Sequence, residues 1–270
     1  MTTLHLTNAF HADSGGIRTM YLALLQQAEQ EQRRCTLVVP GECDDVQRLG
    51  RFTAIQHVRA PRSPAFDRRY RLILPHRFFT GGALQRIVAA ERPQVIEVCD
   101  KYSLCYFAGV LRRRRSRAGF GPTLIGHSCE RLDDNMRAFI TGHPVGARVA
   151  RRYLGQAYIG LFDAHIANSQ YTADELHRAM QAPHIRPVYV SPPGVHAMRA
   201  ALPGARMTAR RQMVNRLGIP SAAHVLLYAG RLSAEKAVDL LPRVAARLAG
   251  QRWPVHLLIA GDGPERTRLE

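Results

Sequence analysis

Two cations follow a short apolar segment near the carboxyl end of the chain, within the sequence VLLYAGRLSAEK. The segment Val225–Ala229 predicts a strand, and Arg231 and Lys236 come shortly after it. Lys236 is unusual because only it and Lys101 are lysines among 38 lysine and arginine residues. A compact ammonium suits a tight phosphate site better than a planar guanidinium does. The pattern therefore predicts a diphosphate bound by Arg231 and Lys236.

The element that follows these cations is a predicted helix that starts near Asp239. Its positive end repels cations by about 0.3–1 kcal/mol each, so two cations close to it favour an anionic ligand there. Gly230 also favours an anionic ligand, because a residue without a Cβ lets the ligand approach the backbone closely. The alternative is that both side chains are solvated and that Glu235 offsets them. The later turn Gly261–Pro264 is assigned no chemistry.

Gly15 and Gly16 lie between an apolar strand pattern, Leu4–Thr7, and an amphipathic helix pattern that starts at Ile17. Glycines at a helix amino terminus let a phosphate approach free N–H groups and the positive end of the dipole. The alternative is a tight turn that only needs positive φ. Both interpretations stay open on the sequence alone.

His127 directly follows the predicted strand Thr123–Gly126. The carboxyl ends of parallel strands are where α/β proteins keep their sites. An imidazole there can donate to a substrate hydroxyl or carbonyl oxygen. The alternative is a histidine that caps the next segment.

The net charge of +17 favours an anionic partner, which could be a phosphorylated small molecule, a membrane surface or nucleic acid. The densest cationic run is Arg112–Arg115 with Arg117, which is typical of a solvated helix end or of a membrane-facing surface. Nucleic acid is disfavoured because no aromatic side chains for base stacking lie within this run.

The five cysteines form no CxxC pair and show no zinc-like spacing with histidine. The amino terminus lacks a signal-peptide pattern, and no apolar run approaches the roughly 20 residues that span a bilayer. We therefore expect a reduced, cytoplasmic protein.

Short apolar strands alternate with helical patterns along the chain, which predicts an α/β fold with a doubly wound parallel sheet. Gly41–Thr80 lacks a clean period, and we expect a poorly defined connection there with one short strand around Ala54–Val58. We expect an amino-terminal domain over residues 1–200 and the start of a second domain over residues 201–270. The predicted strands are Leu4–Thr7, Cys35–Pro40, Val95–Cys99, Thr123–Gly126, Ala164–Ala167, Val188–Val190, Val225–Ala229 and Val255–Ala260.

Taken together, these motifs resemble glycosyltransferase family 4, which has the GT-B fold. The matching segments are the Gly15–Gly16 loop with its helix, HSCERL from His127, ANSQYTADEL at Ala167–Leu176, SPPGV at Ser191–Val195, YAGRLSAEK at Tyr228–Lys236 and LIAGDGPERTRLE at Leu258–Glu270. The resemblance implies two Rossmann-like domains with a cleft between them. The amino-terminal domain would bind a glycan or lipid-linked acceptor, and the second would bind a nucleotide-diphosphate sugar.

The resemblance also implies roles for single residues. Arg231 and Lys236 would hold the donor diphosphate, and Gly15 and Gly16 form the loop that would offer it a backbone N–H, from Gly16. His127 would lie near the transferred sugar. No metal ion or other cofactor is implied, and transfer would retain the anomeric configuration. We expect a cytoplasmic enzyme of cell-envelope polysaccharide synthesis, held peripherally on the inner face of the membrane.

Two departures from the family accompany the resemblance. The pair of glutamates that contacts the donor sugar and ribose would fall beyond Glu270, so we expect an incomplete second domain, and both an active and an inactive 270-residue chain stay open. Ala237 also stands where a glycine is common. The alternatives are a non-catalytic relative that binds only an acceptor or a partner, and a GT-B nucleotide-sugar epimerase.

Overall fold

A computed structural model describes residues 1–11, 15–63, 70–78, 81–119, 121–139, 145–194, 204–233 and 236–270. The chain forms two compact units, Met1–Val195 and His196–Glu270. The predicted domain boundary at residue 200 lies outside the described residues.

The first unit is built on a sheet of eight strands among the described residues, in the order β3-β4-β2-β1-β5-β6-β7-β8. All neighbouring strands are parallel except β3 and β4. The predicted α/β fold with a mainly parallel sheet is confirmed. The strands are β1 (Thr2–Thr7), β2 (Arg34–Gly41), β3 (Asp45–Arg48), β4 (Thr53–Arg59), β5 (Val95–Cys99), β6 (Thr123–Ser128), β7 (Ala164–Ala167) and β8 (Val188–Val190).

Helices follow most of these strands, as crossovers between parallel strands require. Asp100 fixes the start of one of them, α3, because its Oδ1 accepts the N–H groups of Ser103 at 2.6 Å and Leu104 at 2.8 Å. No helix among the described residues is long and apolar enough to cross a membrane. The α-helices of this unit are α1 (Gly16–Gln30), α2 (Ala83–Glu91), α3 (Cys105–Ala118), α4 (Leu132–Phe139), α5 (Val145–Tyr153) and α6 (Gln170–Ala179).

The central strands are buried on both faces because helices cover both sides of the sheet. Successive residues of β5 show this: Ile96 and Val98 belong to the larger core cluster. Cys99 belongs to the smaller cluster, which packs under α1 with Tyr21 and Leu25. Glu97, between Ile96 and Val98, therefore points toward the α1 face.

The described part of the segment, residues 41–63 and 70–78, is more ordered than the composition of Gly41–Thr80 predicts. It contains β4, which confirms the expected strand near Ala54–Val58, and also the antiparallel strand β3, which the sequence did not predict. Every residue of β3 is exposed, so it carries no apolar alternation that could have marked it as a strand.

The cationic run in α3 is partly neutralised. The guanidinium of Arg115 donates to both carboxylate oxygens of Asp163 at 2.6 Å, and Arg112 donates to Oδ1 at 2.9 Å. Asp163 also accepts the backbone N–H of Leu124 at 2.9 Å. Two of these arginines therefore tie α3 to the sheet, and the expectation that the run is simply a solvated helix end is wrong for them.

Among its described residues, the second unit contains two parallel strands, β9 (His224–Ala229) and β10 (Val255–Ala260). Their register pairs His224 with Val255 and Ala229 with Ala260. Its helices are α7 (Ala205–Leu217), α8 (Leu240–Gly250) and α9 (Arg266–Leu269). Asp239 is the residue before α8, where the sequence predicted the helix to begin.

Candidate active site

A buried carboxylate lies in the middle of the large sheet. Glu97 is 8% exposed and stands directly beside His5 in the β1–β5 register. A charged side chain in an apolar strand needs partners, because burial of an unpaired carboxylate is costly. The groups around the Glu97 carboxylate therefore determine whether it is charged and what role it can have.

Three side chains converge on Glu97. The hydroxyl of Tyr21 donates to Oε1 at 2.7 Å, and Nδ1 of His127 lies 3.2 Å from the same oxygen. Nδ1 of His5 lies 3.3 Å from Oε2. His5 and His127 are both buried, with less than a tenth of their surface exposed. The carboxylate is thus shared between β1, β6 and α1.

The negative charge of Glu97 and the positive charges of His5 and His127 stabilise one another. Burial alone would lower the pKa of His127, but the hydrogen bond and charge of Glu97 raise it to about 9. Burial likewise opposes the charged form of His5, yet the charge of Glu97 raises its pKa to about 10. Burial would raise the pKa of Glu97, but the two histidines hold it well below the ordinary value. At neutral pH His127 is therefore an imidazolium oriented by a carboxylate.

We expect this cluster to give the unfolding free energy a characteristic pH dependence. The contribution of Glu97 is present above its ordinary pKa of 4.5 and is lost as the pH falls below it. The contributions of His127 and His5 are complete below their ordinary pKa of 6.5 and are lost as the pH rises through about 9 and about 10. Urea unfolding from about pH 3 to about pH 10 measures this.

The matched control for the pH experiment is Glu97→Gln, which keeps the shape of the side chain and removes its charge. Without the carboxylate, the histidine pKa values return toward or below 6.5 and the loss of stability above that pH becomes shallower. A variant whose stability falls as steeply as that of the wild type between about pH 7 and about pH 10 would contradict the assignment.

The cluster lies beside the topological switch point of the sheet. From β1 the chain continues through β2 toward one edge, whereas β5, β6, β7 and β8 continue toward the other. Ligands of open α/β sheets bind outside the carboxyl ends of the strands at such a point. His127 is the penultimate residue of β6, and the Gly15–Gly16 loop follows β1, so the sheet brings their ends to one edge.

Gly15 and Gly16 occupy the start of α1 without a packing reason for being glycine. Gly15 has φ of −80°, and neither residue has φ in the left-handed region. A Cβ at either position would meet no atom of the described residues within 4 Å. The alternative in which Gly15 or Gly16 needs positive φ is therefore wrong, and no described residue fills the space beside these two glycines.

Buried ion pairs hold the loops after β5 and β6. The ammonium of Lys101, 3% exposed, lies 2.9 Å from Oε2 of Glu175 in α6 and also donates to the carbonyl of Glu130. Arg131 pairs with Asp133 at 2.8 Å, and its guanidinium lies 4.2 Å from the ring centroid of Tyr171. These contacts join two motifs that lie about 40 positions apart in sequence, HSCERL and ANSQYTADEL.

In the second unit, Arg231 and Lys236 are exposed, and two buried residues lie between them. Leu232 and Ser233 are 3% and 6% exposed. The N–H of Leu232 donates to the carbonyl of Asp262 at 2.9 Å, and the N–H of Lys236 donates to the carbonyl of Ser233 at 2.9 Å. The backbone that carries the two cations is therefore fixed to the turn after β10.

Glycines allow this close approach of the two turns. A Cβ at Gly261 would clash with the carbonyl oxygen of Gly230, and one at Gly263 would clash with that of Leu232. The turn Gly261–Pro264 thus has a packing role. Ala237 has φ of 48°, a left-handed conformation that favours glycine.

Comparison with known families decides the identity of the fold. The profile described as Glycosyltransferase Family 4 matches residues 14–199, and that described as Glycosyl transferases group 1 matches residues 209–270. The chain belongs to glycosyltransferase family 4. The resemblance expected from the sequence motifs is confirmed, and the left-handed φ of Ala237 is one that favours the glycine expected there.

Curated relatives of this family 4 chain include a mannosyltransferase from Mycobacterium tuberculosis. It is named GDP-mannose-dependent alpha-(1-6)-phosphatidylinositol dimannoside mannosyltransferase and is 25% identical over 273 residues. The match covers 100% of this chain but 65% of the relative, so the chain spans just under two thirds of its length. Shorter matches are D-inositol 3-phosphate glycosyltransferases of Thermobispora bispora (36% over 104 residues, 38% of this chain and 23% of the relative) and Saccharomonospora viridis (38% over 112 residues, 40% and 24%).

The family 4 site residues predicted from the sequence fall into two sets. Gly15, Gly16 and His127 lie in the first unit, at the edge formed by the carboxyl ends of β1 and β6. Arg231 and Lys236 lie in the second unit, after β9. Ser14, Val195 and Glu235 of the predicted motifs are outside the described residues. The roles of all five site residues stay predictions.

Sequence reasoning missed Glu97, Tyr21 and His5. The available signal was Glu97 itself, a single carboxylate in the apolar run VIEVC. Its partners could not be read from the sequence, because Tyr21 is 76 positions away and His127 is 30 positions away.

Proposed function

We propose that this chain takes part in moving a sugar from a nucleotide-diphosphate sugar to a glycan or lipid-linked acceptor, with retention of the anomeric configuration. The observation that carries the proposal is the Glu97–His127 pair, buried beside the switch point of the sheet in a family 4 chain. An oriented imidazolium at this place is suited to donate to a sugar or acceptor oxygen.

His127 is the residue nearest the reacting sugar in this proposal, and Glu97 is its positioning residue. Glu97 accepts from Nδ1, so Nε2, which lies 3.5 Å from Sγ of Cys129, is the ring nitrogen left for the ligand. Gly15 and Gly16 supply a helix amino terminus with no described atom within 4 Å of an added Cβ, and its N–H groups suit a phosphate.

Arg231 and Lys236 bind the donor diphosphate. When the bond between the anomeric carbon and the phosphate oxygen breaks, negative charge develops on the leaving nucleoside diphosphate. Two cations on a fixed backbone stabilise that charge more than they stabilise the ground state. Because they supply this charge, the proposed transfer needs no metal ion at the diphosphate.

We take GDP-mannose and a phosphatidylinositol-based lipid as the first donor and acceptor to test, because the relative that matches the whole chain is named for them. The shorter matches are named for D-inositol 3-phosphate, which shares an inositol phosphate group with the phosphatidylinositol headgroup.

A lipid-linked acceptor would place the protein at the cytoplasmic face of a membrane. Helix α5 supports this, because Val145 and Val149 are about half exposed on a helix that also carries Arg148 and Arg152. Arg148, Arg151 and Arg152 line a cavity of about 220 Å³. Exposed apolar groups beside arginines suit an anionic membrane surface.

Calorimetric titration of GDP-mannose and other nucleotide sugars into the 270-residue chain tests the donor assignment. We expect saturable binding to one nucleotide at about micromolar Kd, or about −8 kcal/mol. Absence of saturable binding to every nucleotide sugar would support a non-catalytic relative. Conversion of the bound sugar without any acceptor would support an epimerase.

A further inference from the structure

Three soft metal-binding side chains meet beside the carboxylate cluster. Cys99 ends β5, and His127 and Cys129 lie at the end of β6 and just after it. One ligand atom from each, two sulfurs and an imidazole nitrogen, lies within 4.8 Å of the others. It is the single group of this kind among the residues that the structure describes.

Two of the three separations between these atoms are close to those around a tetrahedral ion. Bonds of about 2.3 Å to sulfur and about 2.0 Å to nitrogen place two sulfurs about 3.8 Å apart and a sulfur about 3.5 Å from a nitrogen. The Sγ atoms of Cys99 and Cys129 are 3.3 Å apart. Sγ of Cys129 is 3.5 Å from Nε2 of His127. Separation of the sulfurs by about half an ångström would admit an ion.

The surroundings also suit a metal ligand. Metal-binding histidines usually donate their second ring N–H to a carboxylate or carbonyl, which fixes the ring and its tautomer. Nδ1 of His127 has this contact with Glu97, and Tyr21 holds Glu97 in turn. The carbonyl of Cys129 accepts a hydrogen bond from the side-chain amide of Asn168 at 2.7 Å, which holds that loop.

We propose that Cys99, Cys129 and Nε2 of His127 bind one thiolate-preferring metal ion of the Zn²⁺ class. Binding releases the two thiol protons and any proton on Nε2 to solvent, and it forms two metal–sulfur bonds and one metal–nitrogen bond. Three protein ligands leave a fourth position for water or another small ligand. Sulfur ligands select against Mg²⁺ and Ca²⁺, which prefer oxygen.

This site would compete with substrate for one nitrogen. The proposed function gives Nε2 of His127 to the sugar, so metal binding and transfer would exclude each other. That consequence rests on the proposed function, whereas metal binding itself does not. The test below uses no donor and no acceptor, so it can fail or succeed separately from the transferase proposal.

Titration of Co²⁺ into the fully reduced 270-residue chain tests the site. We expect one ion per chain, with thiolate-to-cobalt charge-transfer absorption that Zn²⁺ abolishes by displacement and Mg²⁺ does not. Cys99→Ser and Cys129→Ser should each weaken binding at least about tenfold. Cys43→Ser and Cys105→Ser are the matched controls, one exposed and one buried thiol outside the cluster, and should leave binding unchanged.

A second measurement uses the wild-type chain, so its result does not depend on whether the serine variants fold. Zn²⁺ should protect Cys99 and Cys129, but not Cys43, from alkylation located by mass spectrometry. The proposal is overturned if Co²⁺ binding shows no thiolate absorption or survives both serine substitutions. It is also overturned if the reduced chain takes up no Co²⁺, or if Zn²⁺ leaves the alkylation of Cys99 and Cys129 unchanged.

Discussion

Replacement of Arg231 or Lys236 by alanine is expected to lower the rate of sugar transfer by about 10²–10³-fold, the usual cost of removing one group that stabilises developing negative charge. Both side chains are exposed, so their loss should not disturb the core. Leu232 and Ser233 between them remain buried and keep the backbone in place. The measurement is the initial rate of transfer from the donor identified by titration.

Two variants make this prediction specific. Arg247→Ala removes an exposed cation from α8 in the same unit and should leave the rate unchanged. Lys236→Arg keeps the charge but replaces a compact ammonium by a planar fork, so we expect only partial recovery. An unchanged rate in both alanine variants would contradict the assignment of the diphosphate to this pair.

The strands of the fold were predictable because their signal is local. The runs Val95–Cys99 and Ala164–Ala167 are short and apolar, and the structure bounds β5 and β7 at the same residues. Strand β3 gave no such signal, because an edge strand exposed on both faces needs no apolar residues. It forms by pairing with β4, an interaction that depends on tertiary structure.

The candidate site was only partly predictable for a related reason. His127 could be found because its position at the end of a predicted strand is itself informative. The contact between His127 and Glu97 depends instead on β5 and β6 being neighbours. The contact between Cys99 and Cys129 also depends on the pairing of β5 with β6, so no spacing in the sequence predicts it.

Lysine usage alone does not separate the roles of the two lysines in this chain. It identified Lys236 as exceptional in an arginine-rich chain, but Lys101 is equally exceptional. Lys101 is buried and pairs with Glu175, so a rare lysine here serves the interior of the first unit. Rarity alone marks a site where an ammonium is needed, and burial separates a structural role from a ligand-binding one.

Lys101→Met is expected to destabilise the first unit by about 3–5 kcal/mol, because it leaves the buried carboxylate of Glu175 without its cation. Glu175 is 4% exposed, so water can replace little of the lost interaction. For a unit of this size the melting temperature Tm should fall by about 6–20 °C. Differential scanning calorimetry, which can resolve the transitions of the two units, measures this.

The expected cost comes from the unpaired charge, and a double-mutant cycle tests that origin. Lys101→Met combined with Glu175→Leu removes both charges. The double variant should therefore lose much less unfolding free energy than the sum of the losses in the two single variants. The matched control is the exposed pair Arg178–Asp174 on α6, the helix that carries Glu175. Nη2 of Arg178 lies 3.9 Å from Oδ2 of Asp174. Arg178→Ala should change the stability by less than about 0.5 kcal/mol, because solvent screens that pair. Additive costs in the cycle would mean that Lys101 acts through packing and its contact with the Glu130 carbonyl, with the ion pair contributing little.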